Sequence, residues 1–268
     1  MKVAIKSPDN ASKGSIELPK QFNEEIRSDL IRRAYLTILS NSRQPYGAKE
    51  DAGMRASAKL SRRRRDYKGS YGFGISRVPR KVLSRRGTRF FWVGAVAPGM
   101  VSGRKAHPPK PETDRDLKLN KKEKRKAIRS AISASLNKEL VKLRGHMIPE
   151  DYPFILDNSI EDVSKTSEVK KTLIALGFKE ELERAAKKNV RAGRGKLRGR
   201  KYKVRKGPLL VVSKQCSALA AARNIPGMDV SVVTELNAKL LAPGSMPGRL
   251  TLYSKNAIEM MKEKKLFV

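Results

Sequence analysis

The sequence predicts an α/β fold in three layers, a mostly parallel sheet with helices on both faces, together with a long extended basic loop inserted into it. Three observations lead there. From residue 153 onward, short unbroken apolar runs alternate with helical patterns, as a parallel sheet buried on both faces requires. Hydrophobic residues make up 39% of the 268 positions, which becomes about 44% once Gly is counted and Tyr is not, close to the ~45–50% of globular domains. A real core is therefore available. Finally, the formal net charge of +34, from 60 Lys and Arg against 26 Asp and Glu, is concentrated in places. Residues 52–110 hold 16 Lys/Arg and one acid, Asp66, and residues 187–206 hold 11 and none, which together supply 26 of the 34 net charges. The rest of the chain reads as a domain of mixed charge to which basic segments have been added.

In chain order, β-like pieces fall at 3–5 and 16–18 around a Pro8-Asp9-Asn10 turn. A helix follows from about Ser28, with Ser28 or Asp29 as N-cap; Leu30, Ile31, Ala34, Tyr35, Ile38 and Leu39 recur at helical spacing, and Pro45 and Gly47 stop it. A second helix starts at Asn120, where Glu123 is placed to reach back in a capping box. Its buried stripe is Ile128, Ala131, Ile132, Leu136, Leu140 and Leu143, and Gly145 ends it. The alternation then runs through an apolar run at 154–156, a helix around 169–176 ended by Gly177, a run at 209–212 and a helix at 217–224. It closes with a run at 230–233, a short helix near 236–241, a run at 250–253 and a last helix from Asn256. No repeat of fixed period is present. The domain organisation expected is a globular α/β domain formed by 1–43 and 112–268, a loop at 44–111 inserted in it, and a basic tract at 187–206 within the globular part.

The insertion has 68 positions, eight Gly after Gly47, five Pro after Pro45 and no sustained period of 2 or 3.6. Compact domains rarely hold so long a segment unless it is functional or disordered. Its candidate contact cations are Arg55, Arg62, Arg63, Arg64, Arg65, Arg77, Arg80, Lys81, Arg85, Arg86, Arg89, Arg104, Lys105 and Lys110, with Arg43 just before it. They are interleaved with Tyr67, Tyr71, Phe73, Phe90, Phe91 and Trp92. Guanidinium forks bind phosphate and aromatic rings stack on unpaired bases. A solvated basic linker is the alternative, but disordered linkers are poor in aromatics. The second tract, Arg191-Ala-Gly-Arg-Gly-Lys-Leu-Arg-Gly-Arg-Lys-Tyr-Lys203, immediately precedes the 209–212 run and so is expected at one edge of the sheet. Arg191, Arg194, Lys196, Arg198, Arg200, Lys201, Lys203 and Arg205 are its candidate RNA contacts. Its glycines do not form GxGxxG, and Gly195-Lys196-Leu197 lacks the Ser/Thr of a phosphate-binding loop.

Chemistry finds little footing. His107, in Arg-Lys-Ala-His-Pro-Pro, is read as an RNA-stacking or hydrogen-bonding ring, with loop packing as the alternative. His146 follows a helix-ending glycine and is read as a helix-dipole partner or surface residue; Cys216 is read as a core or cap residue. Glu112, Asp114 and Asp116 alternate as a nuclease metal site does, but are read as charge balancing a helix approach. No catalytic residue, metal site or cofactor is expected. One Cys and two His exclude a disulfide scaffold and Cys/His zinc quartets, and the lone Cys fits a reducing cytosol. The longest apolar stretch, 90–101, is short and broken by Gly94, Pro98 and Gly99, and Lys2, Lys6 and Asp9 interrupt any secretion signal. A soluble, intracellular protein is expected.

Several stretches together carry a family resemblance: Arg27-Ser-Asp-Leu-Ile31, Arg43-Gln-Pro-Tyr-Gly47, Ala52-Gly-Met-Arg55, Arg77-Val-Pro-Arg80, Gly103-Arg-Lys-Ala-His-Pro-Pro-Lys110 and Arg129-Ser-Ala131. To these are added 191–200 and Leu241-Ala-Pro-Gly-Ser-Met-Pro-Gly-Arg-Leu250. In order and spacing, over essentially the whole chain, the sequence resembles the fourth protein of the large ribosomal subunit, the L-four family, in its archaeal form. The resemblance implies a Rossmann-like domain and a structural, early-assembling constituent of the large subunit that binds its ribosomal RNA, without catalysis. It implies a basic loop sent toward the wall of the peptide exit tunnel, with Lys68, Gly69, Tyr71, Gly72, Phe73 and Gly74 nearest the tunnel. The implied partners are large-subunit ribosomal RNA, neighbouring ribosomal proteins and the nascent peptide, in the cytoplasm, with no membrane and no homo-oligomer. The alternative of another class is an RNA-modifying or nucleotide-dependent enzyme on the same fold, opposed by the missing glycine fingerprint and the lack of clustered His, Cys or carboxylates.

Overall fold

The computed structural model describes residues 1–268 apart from 56, 57, 59, 67, 68, 88 and 102. The chain divides into two compact units, one formed by Met1–Ser42 and Asp116–Val268 and the other by Arg43–Arg115. Among the described residues the larger unit holds β1 (Lys2–Lys6), β2 (Ser12–Glu17) and α1 (Ser28–Asn41), and the smaller holds β3 (Arg80–Arg86) and β4 (Arg89–Gly94). The larger unit continues with α2 (Lys121–Leu136), α3 (Lys138–Leu143), β5 (Ile155–Leu156), α4 (Thr166–Ala175), α5 (Lys179–Ala186), β6 (Lys188–Val190), β7 (Tyr202–Val204) and β8 (Leu209–Val212). It ends with α6 (Ser217–Arg223), β9 (Asp229–Val232), α7 (Ala238–Leu241), β10 (Thr251–Tyr253) and α8 (Lys255–Glu263). The fold is mixed α/β.

Two small sheets carry the larger unit's core. In one, β1 pairs antiparallel with β2 and parallel with β5; in the other, β8 lies between β10 and β9, parallel to both. A parallel bridge, Leu156 to Ser254, connects them. All four residues of β8 are buried, with Leu209 and Val211 in one apolar cluster and Leu210 and Val212 in another. Ile155 and Leu156, and Tyr253 and Leu252, divide in the same way. Strands covered on both faces need apolar residues at every position, which is why these segments read as unbroken runs. The first cluster draws on Ile31, Ile128, Ile132, Leu241 and Met261, the second on Val169, Leu173, Leu182 and Ala222. Ala34, Ala127 and Ala238 let α1, α2 and α7 approach closely.

At the carboxyl ends of β8 and β10 the buried Glu161 accepts from Ser213 N–H at 2.8 Å, from Ser213 Oγ at 2.7 Å and from Ser254 Oγ. Open α/β sheets bind ligands outside their carboxyl ends. A phosphate placed there would meet acceptor oxygens in place of donors.

Local caps depart from the sequence expectations. Neither Ser28 nor Asp29 caps α1: the N-cap is Arg27, which makes no side-chain cap bond, and its N–H donates to Ser130 Oγ on α2 at 2.6 Å, a tertiary contact that fixes where the helix starts. Asn120 is the N-cap of α2 but makes no side-chain cap bond, and the capping box does not form; Glu123 instead lies 3.3 Å from Arg33. The expected single helix to Leu143 is two. Asn137 Oδ1 accepts from Glu139 N–H and Leu140 N–H, starting α3 in a new phase. Val141 is therefore the buried residue, while Leu143 is 79% exposed and Leu140 half-buried. The β6–β7 and β3–β4 hairpins and α5 were not foreseen, because their charged sequences hide a strand or helix period.

All members of the three apolar clusters lie outside 43–115, and Asn41 and Leu117 exchange two hydrogen bonds, Leu117 N–H to Oδ1 at 2.9 Å and Nδ2 to Leu117 O at 3.1 Å. Replacing 43–115 by a short Gly/Ser link is thus expected to leave one cooperative thermal transition by circular dichroism. Its loss would show that the excised unit contributes to the core.

Candidate nucleic-acid interface

Within the smaller unit, the entering and leaving segments run side by side. Ala48 N–H donates to Pro109 O at 2.9 Å, and a Cβ on Gly47 would stand 2.4 Å from Pro111 Cδ. Gly53, at φ +79°, would place one 2.6 Å from Arg104 N, so only glycine fits there. Arg115 lies over the Tyr46 ring at 4.2 Å and donates to Lys110 O at 3.3 Å. Further along, β3 and β4 form an antiparallel hairpin extended by Ala95 N–H to Pro79 O. Phe90 and Trp92 stack with centroids 5.4 Å apart; Arg80 lies 5.4 Å over Trp92 and Arg85 5.7 Å over Phe90. The insertion is therefore not a structureless loop. A cationic-aromatic sequence pairs with itself before it meets any partner.

Arg62, Arg63, Arg64 and Arg65 lie in and beside a tight turn where Ser61 hydrogen-bonds Asp66 and Arg65 takes φ +57°. All four are exposed and, among the described residues, make no ion pair; the same holds for Arg86, Arg89 and Arg104. Arg43, Lys81, Lys105, His107 and Lys110 are exposed as well, and Arg55 lies 3.8 Å from Asp51. Of the residues expected nearest a tunnel, Lys68 lies outside the described residues, as does Tyr67. Gly69 bridges to Ser61, Gly72 and Gly74 take φ +81° and +67°, Phe73 is 69% exposed, and Tyr71 lies beneath Arg77 at 4.4 Å.

The second tract is its own two-stranded hairpin, β6 against β7, and is no part of the β8–β9–β10 sheet. Between the strands, Arg194–Arg198 makes a single 3-10 turn flanked by Gly193 and Gly199, both at positive φ. Arg194, Lys196, Arg198, Arg200, Lys201, Lys203 and Arg205 are exposed. Arg191 differs. Its guanidinium donates to Arg200 O at 3.0 Å and Tyr202 O at 3.3 Å, and so braces the hairpin.

Buried charge holds the foot of this hairpin. Arg249, fully buried, donates to Gly207 O at 3.0 Å, Leu240 O at 2.9 Å and Asp229 Oδ2 at 2.7 Å. Arg184 donates to Lys206 O at 2.8 Å and to both oxygens of Glu181, and Lys206 pairs with Asp229. Gly207 N–H donates to Gly227 O, and a Cβ on Gly227 would stand 2.8 Å from Ala185 Cβ. His146 completes the cluster. It is buried, not at the surface as expected, and hydrogen-bonds Glu181 through Nδ1 at 2.7 Å. Burial strips water from the charged ring and lowers the His146 pKa, helped by the nearby Arg184 and Arg144 charges and outweighing the upward pull of Glu181. For Glu181 burial acts upward, but the hydrogen bonds from Arg184 and His146 win and hold it below the usual range. Burial, then the charges of Arg249 and Arg184, bring Arg144 down to about 10. Arg184, Arg249 and Glu181 escaped the sequence reading because a buried ion cluster has no local signature.

Among the described residues no three His, Cys, Asp or Glu side chains are grouped to hold a metal. Cys216 sits at the N-cap position of α6, and burial raises its pKa, away from a nucleophile's range. Among the described residues no helix is long and apolar enough to cross a membrane.

Comparison with known proteins gives a consistent result. Residues 16–264 match the ribosomal protein L4/L1 family. The chain is 50% identical to the large ribosomal subunit protein uL4 of Nanoarchaeum equitans, over 268 residues and the whole of both chains. It is 45% identical to that of Archaeoglobus fulgidus over 252 residues, 92% of this chain and 93% of the relative. Against the Halobacterium salinarum protein it is 40% identical over 267 residues, 98% and 100% of the two.

Removing one partner of a buried ion pair strands the other. Arg249→Ala should therefore lower unfolding free energy by about 3 kcal/mol or more in urea, with Arg249→Lys recovering only part. The second expectation concerns pH. Unfolded, His146 takes up a proton as pH falls through about 6.5, whereas the folded ring resists until lower pH. Stability should be fully present above pH 6.5 and fall toward pH 5, before carboxylates such as Glu181 titrate. His146→Gln should flatten that slope, and an unchanged slope would show that another group is responsible.

Proposed function

The chain belongs to the ribosomal protein L4/L1 family, and we propose that it is a structural constituent of the large ribosomal subunit whose two basic hairpin segments bind large-subunit ribosomal RNA. The observation that carries this is the exposed, acid-free display of arginines on two self-braced hairpins, one of them held at its foot by Arg184 and Arg249. Preformed hairpins lower the ordering cost of binding. The contacts include Arg43, Arg55, Arg62 to Arg65, Arg77, Lys81, Arg85, Arg86, Arg89, Arg104, Lys105, His107 and Lys110 in the smaller unit, and Arg194, Lys196, Arg198, Arg200, Lys201, Lys203 and Arg205 in the tract. In this reading 44–111 is an RNA-penetrating insertion that reaches toward the exit tunnel with its 68–74 region, where it meets the nascent peptide, and the protein acts early in assembly. It works as one copy beside neighbouring ribosomal proteins in the cytoplasm.

The same proposal reads the two sheets as one doubly wound layer between two helical layers. The Leu156–Ser254 bridge and the division of β8 side chains between two clusters support it. The family is structural and non-catalytic, and Glu161 occupies the place where such a sheet would hold a nucleotide.

The protein should co-sediment stoichiometrically with large subunits through a salt wash. Binding of the free chain to ribosomal RNA should weaken steeply with salt, and changing Arg194, Lys196, Arg198 and Arg200 to Ala should reduce the log–log slope by about 3, at ~0.7–0.9 per phosphate. An unchanged slope would mean the tract is only solvated.

A further inference from the structure

The β3–β4 hairpin carries one extra residue, Leu83, between the Val82–Trp92 and Ser84–Phe91 pairs. A bulge of this kind resets the alternation of side chains along its strand. Before it, Arg80 and Val82 share the face of Trp92 while Lys81 opposes Val93; after it, Arg85 opposes Phe90, and Arg86 opposes Arg89. Arg80 and Arg85, five residues apart, thereby reach the same face. That face is closed on itself: Phe90 stacks on Trp92, and the two guanidinium groups lie over the rings. The opposite face is open. Phe91 is 52% exposed and Val93 50%, and among the described residues the Phe91 ring meets no other ring or cation. Around them stand Lys81, Arg86 and Arg89, all exposed, with no acid on either strand.

We propose that the Phe91 face is a stacking site for an unpaired RNA base, with Lys81, Arg86 and Arg89 on the flanking phosphates, and that Trp92 stays in its intramolecular stack. The inference rests on the RNA-binding reading above and deepens it by naming the ring that takes the base. A half-exposed phenyl ring framed by three cations matches the alternation of apolar base and anionic phosphate along a single strand. A duplex, with its bases covered, offers that ring nothing.

The test titrates the full chain, at one salt concentration, with a single-stranded oligoadenylate and with an RNA duplex of the same length. Phe91→Ala is expected to weaken oligoadenylate binding by about five- to hundredfold and duplex binding by less than about twofold, with an unchanged thermal transition; Phe91→Tyr keeps the affinity. Trp92 is the only tryptophan in the chain, so its emission reports the other face directly and should change only slightly with oligoadenylate. Equal losses on both RNAs, no loss on either, or strong quenching of Trp92 would overturn the proposal. Unchanged RNA binding with failure of Phe91→Ala to enter large subunits would assign the face to a neighbouring protein and overturn it too. A wild-type chain that binds neither RNA would overturn the RNA-binding reading itself, a distinct outcome.

Discussion

Burial of β8 on both faces is the constraint from which the larger unit follows. Four residues with no exposed side leave room only for apolar side chains, and each face must then be covered by helices. The same strand fixes what comes before it. Gly207 and Pro208, the residues leading into β8, lie where Arg249 can bond their carbonyls, so the basic hairpin is tied at its foot to the most buried strand of the fold. A flexible attachment would let a cationic hairpin sample many orientations. Here, the guanidinium groups of Arg184 and Arg249 hold the carbonyls of Lys206, Gly207 and Pro208.

Such an anchor puts like charges side by side in a chain that already carries +34. Burial, and then the charges of Arg249 and Arg184, depress the pKa of Arg144, and Glu181 and Asp229 pair with Arg184 and Arg249. Elsewhere the chain solves the same problem by segregation. Most of the excess charge lies in two segments, 52–110 and 187–206, without a place in any apolar cluster, so the core forms without burying it. Exposed, unpaired arginines gain little from the fold. In the proposed role their electrostatic value is realised on a polyanion, whereas the reactive-looking groups, His146, Glu161 and Glu181, are all consumed in holding the fold together.

The β3–β4 hairpin shows how one residue can set which side chains share a face. Were Leu83 paired in regular alternation and not bulged, Arg80 and Arg85, five residues apart, would point to opposite faces, and neither face would be uniformly closed or open. With it, one face satisfies its own aromatic and cationic groups and the other keeps its phenyl ring exposed.

Sequence by itself determined the composition of the parts. The unbroken runs at 154–156, 209–212 and 250–253 announced buried strands, because a strand covered on both sides has no polar position to spare; the helical spacing of Ile31 and Ala34 and of Ile128 and Ile132 announced the helices. Charge counting alone located both basic segments. Tertiary structure decided what depends on groups distant in the chain. It fixed the start of α1 through Ser130, broke the long second helix at Asn137, and drew His146, the Glu181–Arg184 pair of α5 and Arg249 from three separate segments into one buried cluster. Local patterns encode periodicity and burial, which neighbouring residues share. Ion pairs, caps supplied by another element and the phase change of a bulge arise only when segments meet, so no window of sequence contains them.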